Sequence, residues 1–479
     1  MKILVLGAGP AGARAAIRAR ELGADVTLLE RDRVGGVAVN SGPAPVRTLA
    51  RVARHLREAR QWGRFGLRGD PPRVDLAEAL ANARRVSEEV HDGKGGEDFL
   101  RSTGLTLVDR AGPARFLDPH TVTLTDGRRF EGDRIILAVG GHSRTLPVPG
   151  GQMALNYADV FSLSDLPAHV AVVGGADTGC QLASIFRDFG VDVTILEFKS
   201  RLLPNADEDV SRAMTSAFQN RGIAVITNAR VESLTKNSAG VHLRYVRANE
   251  SLDLNVDAVF SAAGWPADLE PLNLAAAGIE PERGYVRVDG FLRSSVPHIY
   301  AAGDVNGIVM LAQSAALQGG LAAENALGAQ RTYSREIVPS GSFTDPEYAG
   351  VGLTEAEARD SHDCATATVP YDFVTRALIE GLPEGFCKLI ADRRTGQLLG
   401  AHVMGAYSAE VIQVAAVCLE TGLRVDRVAE LQLAFPTIAQ ALVIAAERLT
   451  QDLQLVAAQS AWDPVEMRPS FESLVSAPS

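Results

Sequence analysis

Two stretches of the chain repeat one pattern: an apolar strand, a glycine-rich turn, a helix, and a second strand that ends on glutamate. In the first, Lys2 to Leu6 reads as buried strand, Ala11 to Leu22 as an Ala/Arg-rich helix and Asp25 to Glu30 as the next strand. In the second, His169 to Val173, Thr178 to Phe189 and Asp192 to Glu197 follow in the same order. Each copy is a βαβ unit, which commits the chain to parallel sheet flanked by helices. Two copies predict two nucleotide sites.

The turns carry the chemistry. Gly7-x-Gly9-x-x-Gly12 lies between its strand and its helix, where glycines allow a tight turn, close approach of backbone to a pyrophosphate and close helix packing. Glu30, at the end of the following strand, stands where a carboxylate accepts from a ribose hydroxyl. The second turn, Gly174-Gly175-Ala176-Asp177-Thr178-Gly179, is less regular, because Ala176 adds a methyl and Asp177 a charge where the pyrophosphate approaches. Glu197 matches Glu30 and favours NADH over NADPH, since a carboxylate repels a 2′-phosphate. Lys199 and Arg201 nearby soften that preference and leave NADPH possible.

Other classes are disfavoured. With 58 acidic against 47 basic residues the formal charge is −11, which argues against nucleic-acid binding. The basic run from Arg47 to Arg64 reads as one face of an amphipathic helix. Four scattered cysteines and nine histidines without ligand spacing predict neither a disulfide scaffold nor a metal site. No apolar stretch is long enough to span a membrane, and the expected location is a reducing cytoplasm.

Between the repeats, Leu107 to Leu124 and Arg134 to Val139 read as short strands, and Pro147 to Gly151 as a break. Beyond residue 335 the texture becomes α+β: strands at Phe386 to Ile390 and Leu398 to Met404 around a turn at Arg394 to Gly396, then helices at Ala409 to Thr421 and Thr437 to Leu449. Ser460 to Ser479 reads as a loose tail.

Taken together these residues resemble the pyridine nucleotide-disulfide oxidoreductases, the family of dihydrolipoamide dehydrogenase, glutathione reductase and mercuric reductase. Ile299 to Val305 is similar to their second flavin motif, in which Asp304 would bind the ribityl chain of FAD, and Pro339 to Glu355 to the start of their dimerisation domain. The resemblance implies an α/β fold with two Rossmann-like domains, for FAD and NAD, and a C-terminal α+β dimerisation domain. The implied division is residues 1–150 with 285–335 for FAD, 151–284 for NAD(P), 336–460 for the interface of a homodimer, and 461–479 as tail. FAD would use Gly7, Gly9, Gly12, Glu30 and Asp304, and NADH would use Gly174, Gly179 and Glu197. Gly36, Gly140, Gly264 and Gln313 would complete the cofactor lining.

The departures from the family pattern are as informative. The family places two cysteines after a Gly-Gly pair and a lysine beyond them. Gly35 and Gly36 are present here, but Ala38 and Pro43 replace the cysteines and Arg47 the lysine. The C-terminal His-Pro-Thr-x-x-Glu signature reads Phe435-Pro436-Thr437-Ile438-Ala439-Gln440, and phenylalanine carries no proton. Disulfide reduction by the family route is thus excluded from the sequence. The helix from Gly179 to Arg187 is most similar to that of soluble pyridine nucleotide transhydrogenases, which makes Cys180 a packing residue.

Three residues are expected at the chemistry. Arg47 would lie at the flavin edge; Gln181 replaces the glutamate that pairs with the family's lysine, so the arginine's charge would stabilise anionic reduced flavin. Phe435, reaching over from the partner subunit, would make the acceptor face apolar. The expected activity is FAD-dependent NAD(P)H oxidation with a small-molecule, non-disulfide acceptor such as a quinone or dye. The alternatives are a soluble transhydrogenase and a catalytically silent flavin-binding scaffold or redox sensor.

Overall fold

The computed structural model describes residues 1–93, 96–238 and 240–455. The expected tail, 461–479, lies outside the described residues. The chain forms two compact units: residues 1–202 with 218–335, and residues 203–217 with 336 onward.

The first unit contains both repeats, each on its own parallel sheet. One sheet has five strands, in the order Ile299–Ala301, Arg134–Leu137, Lys2–Leu6, Asp25–Leu29 and Thr106–Val108. The other has four, in the order Ala224–Ile226, Asp192–Leu196, His169–Val173 and Ala258–Ser261. Ile3, Leu4, Val5 and Leu6 are all buried, because both faces of the strand are covered: Ile3 and Val5 cluster with alanines of helix Pro10–Glu21, and Leu4 and Leu6 with Phe116 and Val122 of a small antiparallel sheet. Helix Pro10–Glu21 starts with proline at its first turn and buries Ala11, Gly12, Ala15, Ala16 and Ala19. This stripe of small side chains lets helix Ala312–Ala326 pack closely: a methyl on Gly319 would meet the Ala11 carbonyl oxygen at 2.0 Å.

Two antiparallel sheets complete this unit. Arg115–Asp118, Thr121–Thr123 and Arg129–Glu131 form one, and Arg230–Asn237, Gly240–Arg247 and Glu250–Val256 form a meander that the sequence reading did not include. The basic run is helical from Pro43 to Ala59 and ends in a short 3-10 turn, Trp62–Phe65, closed by Gly66 at φ +75°.

The second unit is built on an antiparallel sheet ordered Ser340–Ser342, Tyr348–Gly352, Leu398–Gly405, Gly385–Asp392 and Cys364–Pro370. Helices Ser408–Glu420 and Gln440–Asp452 bury Val411, Ile412, Ala415, Leu442, Ala445 and Leu449 in its core. The last helix starts three residues later than the sequence suggests: the carbonyls of Thr437, Ile438 and Ala439 accept from amides three residues on, a tight turn that precedes the α-helical ladder. Among the described residues no helix is long and apolar enough to cross a membrane.

Candidate functional site

At the first glycine turn, Gly7 has φ +97°, and a methyl on Gly12 would stand 1.7 Å from the Gly7 carbonyl oxygen. Strand and helix therefore meet at a distance only glycine permits. Glu30 is buried, with the Ala8 amide donating to one carboxylate oxygen at 2.7 Å and the Asp32 amide to the other at 2.9 Å. Burial raises its pKa above the ordinary carboxylate value, an effect the two amides only partly offset. Each oxygen keeps a lone pair for a further donor, as a ribose hydroxyl would supply. Gly35 and Gly36, at φ +101° and +57°, close over this turn; a methyl on Gly36 would meet the Gly9 Cα at 2.9 Å.

The second turn repeats the arrangement. Gly174 has φ +112°, and a methyl on Gly179 would stand 1.8 Å from the Gly174 carbonyl oxygen. The Glu197 carboxylate accepts from the Gly175 amide at 2.5 Å and the Lys199 amide at 2.7 Å. Ala176 caps helix Asp177–Asp188 in extended backbone, φ −86°, a conformation its methyl tolerates. Asp177 is exposed. Cys180 is buried, its thiol pointing at the Gly175 carbonyl oxygen, and burial pushes its pKa well up. Such a thiol packs and does not attack.

Asp304 opens a short 3-10 turn, Asp304–Asn306. Burial raises its pKa, an effect only partly offset by the neutral Trp265 indole, which donates to Oδ2 at 2.8 Å, and by its own backbone amide. Behind it the buried Gln318 carbonyl accepts from the Gly303 amide at 2.9 Å and from Asn306 Nδ2 at 2.8 Å, fixing the turn. A desolvated carboxylate met only by neutral donors fits a polyol hydroxyl. Glycine turns without room for a methyl and buried carboxylates facing backbone amides fit a dinucleotide, so these residues suit FAD in the first copy and a nicotinamide nucleotide in the second.

The other expected residues are more dispersed. Gly140 and Gly264 have φ +72° and +133°. Gln313 is the second residue of helix Ala312–Ala326. Arg47 is exposed on helix Pro43–Ala59, and Gln181 donates to the Asp177 carbonyl at 3.4 Å, one turn back on its own helix. Phe435 is 52% exposed in the second unit. All four cysteines are free and buried, none on the segment from Gly35 to Arg47. No group of His, Cys, Asp and Glu that could hold a metal occurs among the described residues. Trp265, Tyr157 and Gln318 went unmarked in the sequence, because no spacing ties them to Asp304.

Two parallel sheets with duplicated glycine turns, a buried glutamate facing each turn and a third carboxylate beside the first sheet make the architecture of a two-dinucleotide α/β oxidoreductase. Residues 1–319 match the pyridine nucleotide-disulphide oxidoreductase family, and residues 338–446 match its dimerisation domain. The chain belongs to that family, whose members use FAD and NAD(P)H. It is 32% identical over 448 residues to dihydrolipoyl dehydrogenase of Zymomonas mobilis, covering 92% of this chain and 96% of that one. A mercuric reductase of Lysinibacillus sphaericus is 30% identical over 458 residues, covering 94% and 83%. Among solved structures, LpdA from Mycobacterium tuberculosis superposes with a TM-score of 0.85 at 28% identity, covering 94% and 99%. The HOCl-induced flavoprotein disulfide reductase RclA from Escherichia coli gives 0.82 at 26%, covering 93% and 99%.

Proposed function

We propose that this protein, as a homodimer, passes electrons from NADH through FAD to a small-molecule acceptor that is not a disulfide, a quinone or a dye. The observation that carries the reading is the absence of a dithiol: Ala38 and Pro43 hold the cysteine places, and all four cysteines are buried elsewhere. Bound FAD supplies a two-electron relay between nicotinamide and acceptor. The protein's part is then to bind, orient and exclude. Gly7, Gly9 and Gly12 bring backbone amides to one pyrophosphate, and Gly174 and Gly179 bring them to the other. Glu197 selects a nicotinamide nucleotide with a free 2′-hydroxyl. Phe435, in place of a proton-carrying histidine, suits a flat apolar acceptor that needs no thiol protonation.

Dihydrolipoyl dehydrogenases, mercuric reductase and RclA among the relatives supply the competing reading, disulfide or metal-ion reduction. The test is anaerobic. The purified yellow protein mixed with NADH is expected to bleach rapidly, with NADPH slowly, and the reduced form to be reoxidised by benzoquinone but not by lipoamide or glutathione disulfide. Lipoamide turnover at a rate comparable to quinone overturns the proposal. Robust oxidation of NADPH with transfer to a nicotinamide analogue replaces it with transhydrogenation, and colour that persists in both nucleotides with a silent scaffold.

Arg47 gives a second check. A cation at the flavin edge favours the reduced, more negative form, so Arg47→Ala is expected to lower the midpoint potential by roughly 30 mV, the two-electron equivalent of about 1.4 kcal/mol. Spectroelectrochemical titration of wild type and variant reads this directly, and identical potentials remove Arg47 from the site.

A further inference from the structure

Trp265 links Asp304, through Tyr157, to the segment from Gly35 to Arg47. Its indole N–H donates to Asp304 Oδ2 at 2.8 Å. Its ring packs, tilted by 44°, against Tyr157 at a centroid distance of 5.7 Å, and the Tyr157 hydroxyl lies 3.3 Å from Ser41 Oγ, on the segment where the family keeps its redox cysteines. The indole is held on further sides. A methyl on Gly141 would meet Trp265 Nε1 at 2.5 Å, so glycine there is what admits the ring. The Trp265 carbonyl accepts from the Tyr285 hydroxyl at 2.9 Å, and the Tyr285 ring covers Gly307, in the turn that Asp304 opens.

An aromatic side chain braced from several directions is a fixed donor. Among the described residues Asp304 has no ion-pair partner, and the indole is the side chain that orients its carboxylate. With Oδ2 engaged by the indole, Oδ1 is left to accept from a hydroxyl of a bound polyol chain.

We propose that Trp265 is a positioning residue for the flavin: its N–H, held in place by the ring's packing on Tyr157, fixes the Asp304 carboxylate that would receive the ribityl hydroxyl. The inference rests on the FAD reading of Asp304 above.

The test is a double-mutant cycle on purified holoprotein, reading FAD release on dilution and the visible circular dichroism of the bound flavin. Trp265→Phe keeps an aromatic ring and removes the donor. It is expected to release FAD about tenfold more readily, the equivalent of one hydrogen bond to a charged group, and to change the flavin dichroism. Trp265→His, which restores an N–H, is expected to recover part of both and also serves if the phenylalanine variant folds poorly. In an Asp304→Ala background, which leaves the indole no acceptor, Trp265→Phe is expected to add little, because the indole acts through the carboxylate. Unchanged FAD retention in Trp265→Phe, or effects of the two substitutions that simply multiply, overturns the proposal while leaving FAD binding intact. A wild-type protein that holds no FAD refutes the underlying cofactor reading instead.

Discussion

Lys388→Met is expected to destabilise the C-terminal unit by about 3–5 kcal/mol, the usual cost of leaving buried charge unpaired. Lys388 lies on strand Gly385–Asp392 and is 2% exposed. Its ammonium contacts Asp207 at 2.9 Å, Asp209 at 2.7 Å and Glu355 at 2.5 Å. Arg359 donates to Glu355 at 2.9 Å and Arg212 lies 3.1 Å from Asp209, so Asp207 depends most on the lysine. Across the strand pair His402 faces Lys388, and burial lowers its pKa, so it supplies no replacement cation at neutral pH. Thus the lysine ties residues 203–217 to the sheet.

The same contacts fix the pH dependence. Burial pushes the Asp207 and Glu355 carboxyls up, but the Glu355 amide, His402 and Lys388 acting on Asp207, and Lys388 and Arg359 on Glu355, hold both below their ordinary values. A carboxyl depressed on folding contributes stability that is present above its unfolded pKa and lost as pH falls through the folded one. The wild type should therefore lose stability below about pH 4. In Lys388→Met the sign reverses at Asp207: a buried carboxyl without its cation prefers a proton, so the deficit relative to wild type should shrink as the pH is lowered from neutral. Urea unfolding of both proteins at neutral and mildly acidic pH measures this. A deficit under about 1 kcal/mol at neutral pH would place the cluster with ordinary surface ion pairs.

How much of this was legible beforehand differs between elements. The βαβ repeats were readable because their signals are local: an apolar run, a glycine turn and a terminal glutamate lie within one short stretch, and the structure sets the strands within a residue of that reading. The departures from the family's cysteine and histidine positions were equally local, since Ala38, Pro43 and Phe435 stand in recognisable motifs. The meander from Arg230 to Val256 was not read, although Leu243 and Tyr245 alternate with His242 and Arg244 and its inner face buries Leu234, Leu243, Tyr245 and Val256; its strands of mixed polarity carry no glycine motif to mark them. Nor was the Lys388 cluster, as a single lysine in a strand says nothing of carboxylates that arrive from residues 207 and 209. The Trp265–Asp304 bond likewise joins residues that only the packing of sheet and turn brings together.

The two glycine turns share a geometry, and that makes their roles separable. Gly179→Ala is expected to leave a yellow, FAD-loaded protein that NADH no longer bleaches. The new methyl would lie 1.8 Å from the Gly174 carbonyl oxygen, a backbone atom that cannot rotate away, so helix Asp177–Asp188 must shift off its strand. The shift moves the amides at the helix start and loosens the Gly175–Glu197 bond, the two features that would hold the nucleotide. A loss of about 3 kcal/mol there corresponds to more than a hundredfold in affinity. Gly12→Ala makes the same clash, 1.7 Å from the Gly7 carbonyl oxygen, but in the other copy, and is expected to yield colourless protein of lower stability. Anaerobic stopped-flow reduction and the flavin-to-protein ratio of the two variants decide the matter. If Gly179→Ala is reduced by NADH as fast as wild type, the electrons enter elsewhere and the second turn is not the nicotinamide site.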